Sequence, residues 1–262
     1  MRLENTSLRS ALIGHTGFVG TTLLRQHAFS ACYHSRTIHE IDHQAFDLAV
    51  CAAAPAQKWL ANRQPEQDRE RIQNLIGHLR TLTCRHFILI STVDVFADPS
   101  GVDEDSPVDT DGLHPYGLHR RALEIFVEEH FPDSLIVRLP GLVGPGLRKN
   151  IIYDFLHQNN LAAIESRNQF QFYPMVNLWH DLMTVHTHRL RRAHLTAEPL
   201  SVAEVARLGF GRSFEQTLPA PPVRYDMQTR HAALFGASGR YQYRRQDSLL
   251  AIRAYAQSEP PR

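Results

Sequence analysis

Two groups of residues in this chain have the types and spacing to do chemistry. The first is Gly14-His-Thr-Gly17-Phe-Val-Gly20, three glycines with two residues between each, directly after a short apolar run. Glycine lets a chain turn tightly and lets main-chain N–H groups close on an anion, and a helix opening there adds free donors and the positive end of its dipole. Such a turn, with Thr16, Phe18 and Val19 between its glycines, suits the paired phosphates of a dinucleotide. A glycine-rich turn with no ligand is the alternative that the letters alone leave open.

The second group is Tyr116 and Arg120, four apart and therefore on one face of a helix. A free phenol titrates near 10, too high for proton exchange at neutral pH. A fixed cation beside it is expected to lower that value. Tyr–Arg pairs at this spacing arise by chance in many helices. This one follows a strand ending Ser91-Thr92, whose hydroxyl at the sheet's carboxyl edge could meet the phenol. His34-Ser35-Arg36 stands where a second strand should end, with no carboxylate to take ribose hydroxyls. Ser35 and Arg36 suit a 2′-phosphate, which favours NADP over NAD; a solvated arginine at a strand end is the plain alternative.

The elements that would position these groups follow from apolar periodicity. Ser10–Ile13 reads as a strand, Phe18 to about His27 as a helix, Ser30 to Tyr33 as a second strand and Phe46 to Cys51 as a third, ending in Ala52-Ala53-Ala54-Pro55. From Pro65 to Leu82 the residues Ile72, Leu75, Ile76, Leu79 and Leu82 form one helical stripe, with Pro65 in the first turn. His86 to Ile90 is a continuous apolar strand, Tyr116 to His130 a helix and Ser134 to Leu139 a further strand. Alternation of this kind predicts an α/β fold: a Rossmann-type doubly wound parallel sheet with a small C-terminal substrate lobe. The core is expected over residues 1–146. The lobe is expected over 147–262, packed on the core and partly interleaved with it.

Bulk properties exclude several classes. Of 262 residues 43% are hydrophobic, which supports a packed core. With 28 basic and 27 acidic residues the formal net charge is +1, which gives no field for gripping nucleic acid or an acidic membrane. Cys32, Cys51 and Cys84 form no close pair, so neither a disulfide framework nor structural zinc is expected, and buried reduced thiols are the reading. His186-Thr-His188 alone is a weak metal signal, and no metal site is expected. Met1 to Ser7 carry no apolar core or cleavage signal, and no apolar run approaches the roughly 20 residues that span a bilayer, so a cytoplasmic protein is expected.

Four motifs in order carry a family resemblance: GHTGFVG, STVDVF at Ser91 to Phe96, YGLHR at Tyr116 to Arg120, and RLPGLVGPG at Arg138 to Gly146. Over roughly residues 8–150 the chain resembles the extended short-chain dehydrogenase/reductases, the group of the NAD-dependent epimerase/dehydratases and nucleotide-sugar reductases. The resemblance implies that Gly14, Gly17 and Gly20 carry the pyrophosphate with Phe18 and Val19 beside it. It implies that Ala52, Ala53 and Ala54 line the adenosine and ribose side, and that Pro140 borders the nicotinamide. Thr92 would hold the substrate oxygen and Tyr116 would be the general acid/base. Arg148, Lys149 and Asn150 stand where such proteins contact a substrate diphosphate, and Lys58 and Trp59 in a region facing the reaction space. For these, a solvated basic loop and a helix start with a buried indole are the alternatives.

The sequence departs from this family at position 120. Where the family has Tyr-xxx-Lys, this chain has Tyr-xxx-Arg; a guanidinium supplies charge and could bind ribose hydroxyls but does not release a proton. His114 and His119 lie near, and both read as surface residues. Two functions therefore stand: an NAD(P)-dependent oxidoreductase or epimerase acting at a carbonyl or hydroxyl carbon of a small molecule such as a sugar or sugar nucleotide, or a non-catalytic NAD(P)-binding sensor or accessory protein. A structural partner with no ligand is a third, weaker option. Homodimers formed through the Tyr116 helix are common among such proteins.

Overall fold

The computed structural model describes residues 8–260; Met1 to Ser7, read above for a targeting signal, lie outside the described residues. Strands β1 (Ser10–Ile13), β2 (Ala31–Tyr33), β3 (Ala45–Cys51) and β4 (Thr83–Thr92) alternate with helices α1 (Phe18–Gln26), α2 (Lys58–Arg63) and α3 (Pro65–Leu79). After a short strand β5 (Ser100–Val102) come α4 (Pro115–His130) and β6 (Ser134–Leu139). Later in the chain lie β7 (Gly141–Val143), α5 (Ile151–His157), β8 (Gln169–Phe170), β9 (Phe172–Pro174), α6 (Leu178–Thr187) and β10 (Arg192–His194). The chain closes with β11 (Leu200–Ser201), α7 (Val202–Glu204), β12 (Asp226–Met227) and α8 (Arg245–Ser258).

The central sheet is six-stranded and parallel, in the order β10-β6-β4-β3-β1-β2. Strand order reverses between β1 and β3: the chain leaves β1 for β2 on one side and returns to place β3 on the other. In open α/β sheets the crevice at such a reversal, outside the carboxyl ends of the strands, is where ligands bind. The expected Rossmann-type sheet is the fold observed.

Burial on both faces explains the unbroken apolar strands. Ala11 and Ile13, Ala49 and Cys51, Phe87 and Leu89 face one way, against Ile72, Leu75 and Leu79 of α3 and Leu123 and Val127 of α4. Leu12, Val50 and Ile88 face the other way and are fully buried. Phe87 stacks on Phe131 with ring centroids 4.1 Å apart, fixing the chain that leaves α4 against the sheet.

Two expected boundaries moved for local reasons. The helix from Pro65 stops at Leu79, because the Thr81 hydroxyl donates to the His78 carbonyl at 2.8 Å and also reaches the Asp42 carboxylate. Leu82 is buried all the same, as the lead-in to β4. β4 starts three residues before the expected strand, since Ala45 pairs with Thr83 and carries the ladder past the apolar run. The cysteines also depart from expectation. All three are free, but only Cys51 is buried; Cys32 is exposed because β2 is the sheet's edge strand.

By contact clustering the chain divides into two compact units. One takes in the chain through Val95 with Thr110–Val137 and Arg189–Arg192; the other takes in Phe96–Asp109, Arg138–His188 and the chain from Ala193. Within the second unit β7 pairs with β9, β5 with β12 and β8 with β11. Its core is built around buried carboxylates. Asp181 accepts from the Tyr173 hydroxyl at 2.5 Å, from Gln242 at 2.5 Å and from Tyr243 at 3.0 Å. Glu104 accepts from the Thr229 hydroxyl and from the main-chain N–H groups of His194 and Arg230. Among the described residues no helix is long and apolar enough to cross a membrane.

The packing of Phe87 yields a direct stability test. Phe87→Ala removes a buried ring and its stacking on Phe131, and is expected to cost about 3–5 kcal/mol in urea unfolding. A loss under about 1 kcal/mol would mean that the α4 side of the sheet is not packed in this way.

Candidate active site

The glycine turn lies at the crevice, all within the first unit. Gly14 has φ +90°, and a side chain there would stand 2.5 Å from the Ala52 carbonyl oxygen and 2.7 Å from the Ala53 Cα. Only glycine lets the end of β1 pass so close to the end of β3. The Gly14 N–H donates to the Tyr33 carbonyl at 2.8 Å, so the same turn also ties down the end of β2. Gly20 is buried against the Gly14 carbonyl, Gly17 and Thr16 are exposed at the turn's outer side, and Phe18 and Val19 are half-buried. No side chain caps α1 at Gly17. The first-turn amides of Phe18, Val19 and Gly20 therefore have no partner within the helix, and they stand at its positive end. Ala52, Ala53 and Ala54, half-buried, adjoin the turn. Ser35 and Arg36 are exposed in the turn after β2, next to His34, whose ring stacks on His15 at 5.3 Å.

Tyr116 sits in the first turn of α4 and is 7% exposed. Its approach to the sheet depends on Gly117, since a side chain there would overlap the Asp94 carbonyl. Among its neighbours the Thr92 hydroxyl favours the ionised phenol. Ser91, the other hydroxyl of that pair, instead donates to the buried Glu124 carboxylate at 2.6 Å, tying β4 to α4.

The environment of Arg120 differs from expectation. Its guanidinium carbon lies 3.9 Å from the Tyr116 ring centroid, so the charge faces the ring rather than the hydroxyl. Both terminal nitrogens are bound to the Asp68 carboxylate, with one bond at 2.9 Å, and one also donates to the Pro55 carbonyl. Asp68 is itself 5% exposed and also binds the His119 ring at 2.6 Å. Burial pushes the Asp68 carboxyl up, but hydrogen bonds and charge from Arg120 and His119 outweigh it and hold it below the usual range. For Tyr116 the balance runs the other way. Burial pushes the phenol up, and Arg120, Thr92 and Lys58 offset that only in part, so it stays above the ordinary tyrosine value. The expected lowering by Arg120 does not prevail, because burial is the larger influence and Asp68 balances the guanidinium charge.

Other residues are placed as follows. Lys58, in the first turn of α2, binds Asp94 at 2.7 Å. Trp59 is 64% exposed, so the buried-indole alternative is set aside. Neither histidine is a bare surface residue. His114 caps α4, its ring accepting from the Gly117 N–H at 3.0 Å, and His119 belongs to the Asp68 cluster. Pro140, Arg148 and Asn150 lie in the second unit. There Pro140 is buried, Arg148 is exposed, and Asn150 caps α5 through Ile152 while its amide donates to the Leu142 carbonyl at 2.9 Å. Asp68 and Asp94 received no role from sequence. The acidic first turn of α3 was visible there, but nothing in the spacing tied Asp68 to a residue 52 positions away.

No protein-family profile matches the chain, and no curated protein matches it in sequence. Its α/β fold recurs among solved structures. A UDP-galactose 4-epimerase structure superposes with a TM-score of 0.72 at 17% identity, covering 95% of this chain and 98% of that one. The structure of RMD from Pseudomonas aeruginosa, complexed with NADPH, gives 0.70 at 17% identity over 96% and 100%. The dTDP-4-dehydrorhamnose reductase of Bacillus anthracis, in complex with NADP, gives 0.71 at 16% over 97% and 100%. At such identity the likeness is one of fold.

The Asp68 cluster predicts a pH-dependent loss. Asp68→Asn leaves a buried guanidinium without its counter-charge and is expected to cost about 3–5 kcal/mol near neutral pH. Because the folded carboxyl titrates below its unfolded value of about 3.9, its contribution is complete above that pH and is lost as pH falls through the lower folded value. Urea melts should therefore show the gap between wild type and variant closing in acid. A gap independent of pH contradicts the assignment.

Proposed function

We propose that this chain is an NAD(P)-dependent oxidoreductase or epimerase that acts at a carbonyl or hydroxyl carbon, with a sugar or sugar nucleotide as substrate class. The observation that carries it is the Gly14 turn at the β1/β3 reversal, within the same unit as a buried phenol in the first turn of α4. Fold likeness to structures holding NADPH and NADP, and to enzymes of nucleotide sugars, supports the cofactor and substrate class.

The residues present fit a dinucleotide. Gly14 leaves main chain rather than side chain around the turn, and the uncapped α1 offers the amides of Phe18, Val19 and Gly20 to a pyrophosphate. Ala52, Ala53 and Ala54 would line its ribose side, and exposed Ser35 and Arg36 suit a 2′-phosphate, so NADP is preferred over NAD. When bound, the nicotinamide would supply or accept hydride. The chain's own contribution is proton handling. Tyr116, kept protonated by burial, would donate its phenolic proton to a carbonyl oxygen that Thr92 also holds, which favours reduction at neutral pH. Arg120 would act as a fixed support beneath the ring, its two terminal nitrogens already engaged by Asp68 and Pro55. Pro140 bordering the nicotinamide, and Lys58, Trp59, Arg148 and Asn150 contacting substrate, complete the proposal; of these Lys58 and Asn150 already have intramolecular partners.

The engagement of Arg120 also favours a second reading, a non-catalytic NAD(P) binder. Tyr116→Phe separates the two. The enzyme should oxidise NADPH with a member of a carbonyl panel and lose about 10²- to 10⁴-fold in the variant, with cofactor affinity unchanged. Reductive activity should hold level through neutral pH and fall only above about 10, the ordinary tyrosine value. Wild type and variant equally inert, with NADPH tightly bound, would support the binder. Arg36→Ala should weaken NADPH roughly 10- to 100-fold while sparing NADH; equal effects on both would overturn the 2′-phosphate assignment.

A further inference from the structure

We propose that His114 and Asn62 are positioning residues for Tyr116, and that the His114 imidazole is an acid-labile cap on the helical turn that carries the phenol. The inference rests on the reading of Tyr116 as the group that exchanges a proton. It gives Asn62 its first role and makes the cap at His114 a device that responds to pH.

The first turn of α4 is held by hydrogen bonds from outside the helix. Pro115, at its first position, has no N–H. The Tyr116 N–H donates to the side-chain oxygen of Asn62, on α2, at 3.0 Å. The Gly117 N–H donates to His114 Nδ1, also at 3.0 Å, and the Leu118 N–H to the His114 carbonyl at 3.1 Å. Two side chains thus take the main-chain donors of Tyr116 and its neighbour, which have no partner within the helix. The turn has little room to drift while they hold, because Gly117 is pressed against the Asp94 carbonyl.

The two acceptors differ in chemistry. An asparagine oxygen accepts at any pH. Histidine Nδ1 accepts only while it keeps its lone pair, which places the proton of the neutral ring on Nε2. Protonation sets a second N–H against that of Gly117 and a positive charge at the positive end of the helix. Both oppose the cap, so it opens in acid while Asn62 keeps its hold.

The groups around the imidazole are Lys58 of α2, Asp94 of the turn after β4, and Arg120 and Tyr116 of α4, the last with its ring centroid 6.2 Å away. Burial, with help from Lys58 and Arg120, holds the imidazole below the ordinary histidine value, against Asp94 and a hydrogen bond to its own main chain. The cap is therefore complete at neutral pH, and it is lost as pH falls through a value below the ordinary histidine value of about 6.5. The phenol by itself sets only the alkaline limb of the activity profile; the cap adds an acid limb.

The test uses the full chain and needs no substrate. Deuterium exchange of the Gly117 amide, corrected for the intrinsic effect of pH, reads the cap. Fluorotyrosine placed at 116 and followed by fluorine NMR reads the ring. As pH is lowered from neutral through the histidine range, wild type should lose roughly tenfold in Gly117 protection, and the fluorine signal should move with the same midpoint. His114→Asn, a good cap that does not titrate there, should keep its protection and abolish the inflection in both readouts. His114→Ala should show low protection throughout. Asn62→Ala should displace the fluorine signal at every pH, since its acceptor does not titrate. Gly117 protection that is level with pH in wild type, or an inflection that survives in His114→Asn, overturns the proposal. A fluorine shift without loss of Gly117 protection is the field of the ring alone and overturns it too. Should the switch appear while neither wild type nor any variant reduces a carbonyl, the redox reading fails and the acid-labile cap stands.

Discussion

The site depends on a close main-chain approach: the end of β1 passes the end of β3 with no side chain between them. Gly14 makes this possible with its positive φ and a path that brings its Cα against the Ala52 carbonyl and the Ala53 main chain. That contact aims α1 out of the crevice at the strand reversal, leaving its first-turn amides to point at whatever occupies it. A methyl group at position 14 would separate the two strand ends and turn the helix end away. The phosphate-binding proposal and the placement of Ala52 to Ala54 beside the turn thus share one steric cause.

A second constraint is the distribution of charge around a buried phenol. Tyr116 is almost fully enclosed, so its ionisation is set by near neighbours rather than by water. Arg120 with Asp68 lies at the ring face, and a second ion pair, Lys58 with Asp94, joins the start of α2 to the turn after β4. The first is buried and rigid, and removing either member leaves a charge without compensation. The second is partly exposed, and its members can be changed without stranding a buried charge. Arginine at position 120 suits the first arrangement, because its planar fork spans a carboxylate and a carbonyl at once.

The fold was legible in the sequence because its signals are local. Buried parallel strands read as apolar runs, and α3 as a stripe at helical spacing. What escaped were long-range polar pairings. Asp68 read as an ordinary acidic residue in a helix's first turn, and only folding shows it closing on Arg120 and His119. Asp94 stood inside a quoted motif without a role, because its partner Lys58 comes from a short helix that periodicity did not reveal. The direction of the phenol's shift was misjudged for the same reason: the cation was visible from spacing, but the burial and the carboxylates that oppose it were not.

Gly17 offers the most direct test of the phosphate-binding claim. Its φ of −76° is ordinary, and a side chain there would meet only the Gly14 carbonyl oxygen, at 3.6 Å. Gly17→Asp should therefore leave the fold intact and even cap α1, while setting a carboxylate where the phosphates are proposed to sit. Calorimetric titration with NADPH should show binding to wild type and none to the variant, with the variant's melting temperature unchanged or raised. Equal NADPH binding by both proteins, or no binding by wild type, would contradict the account.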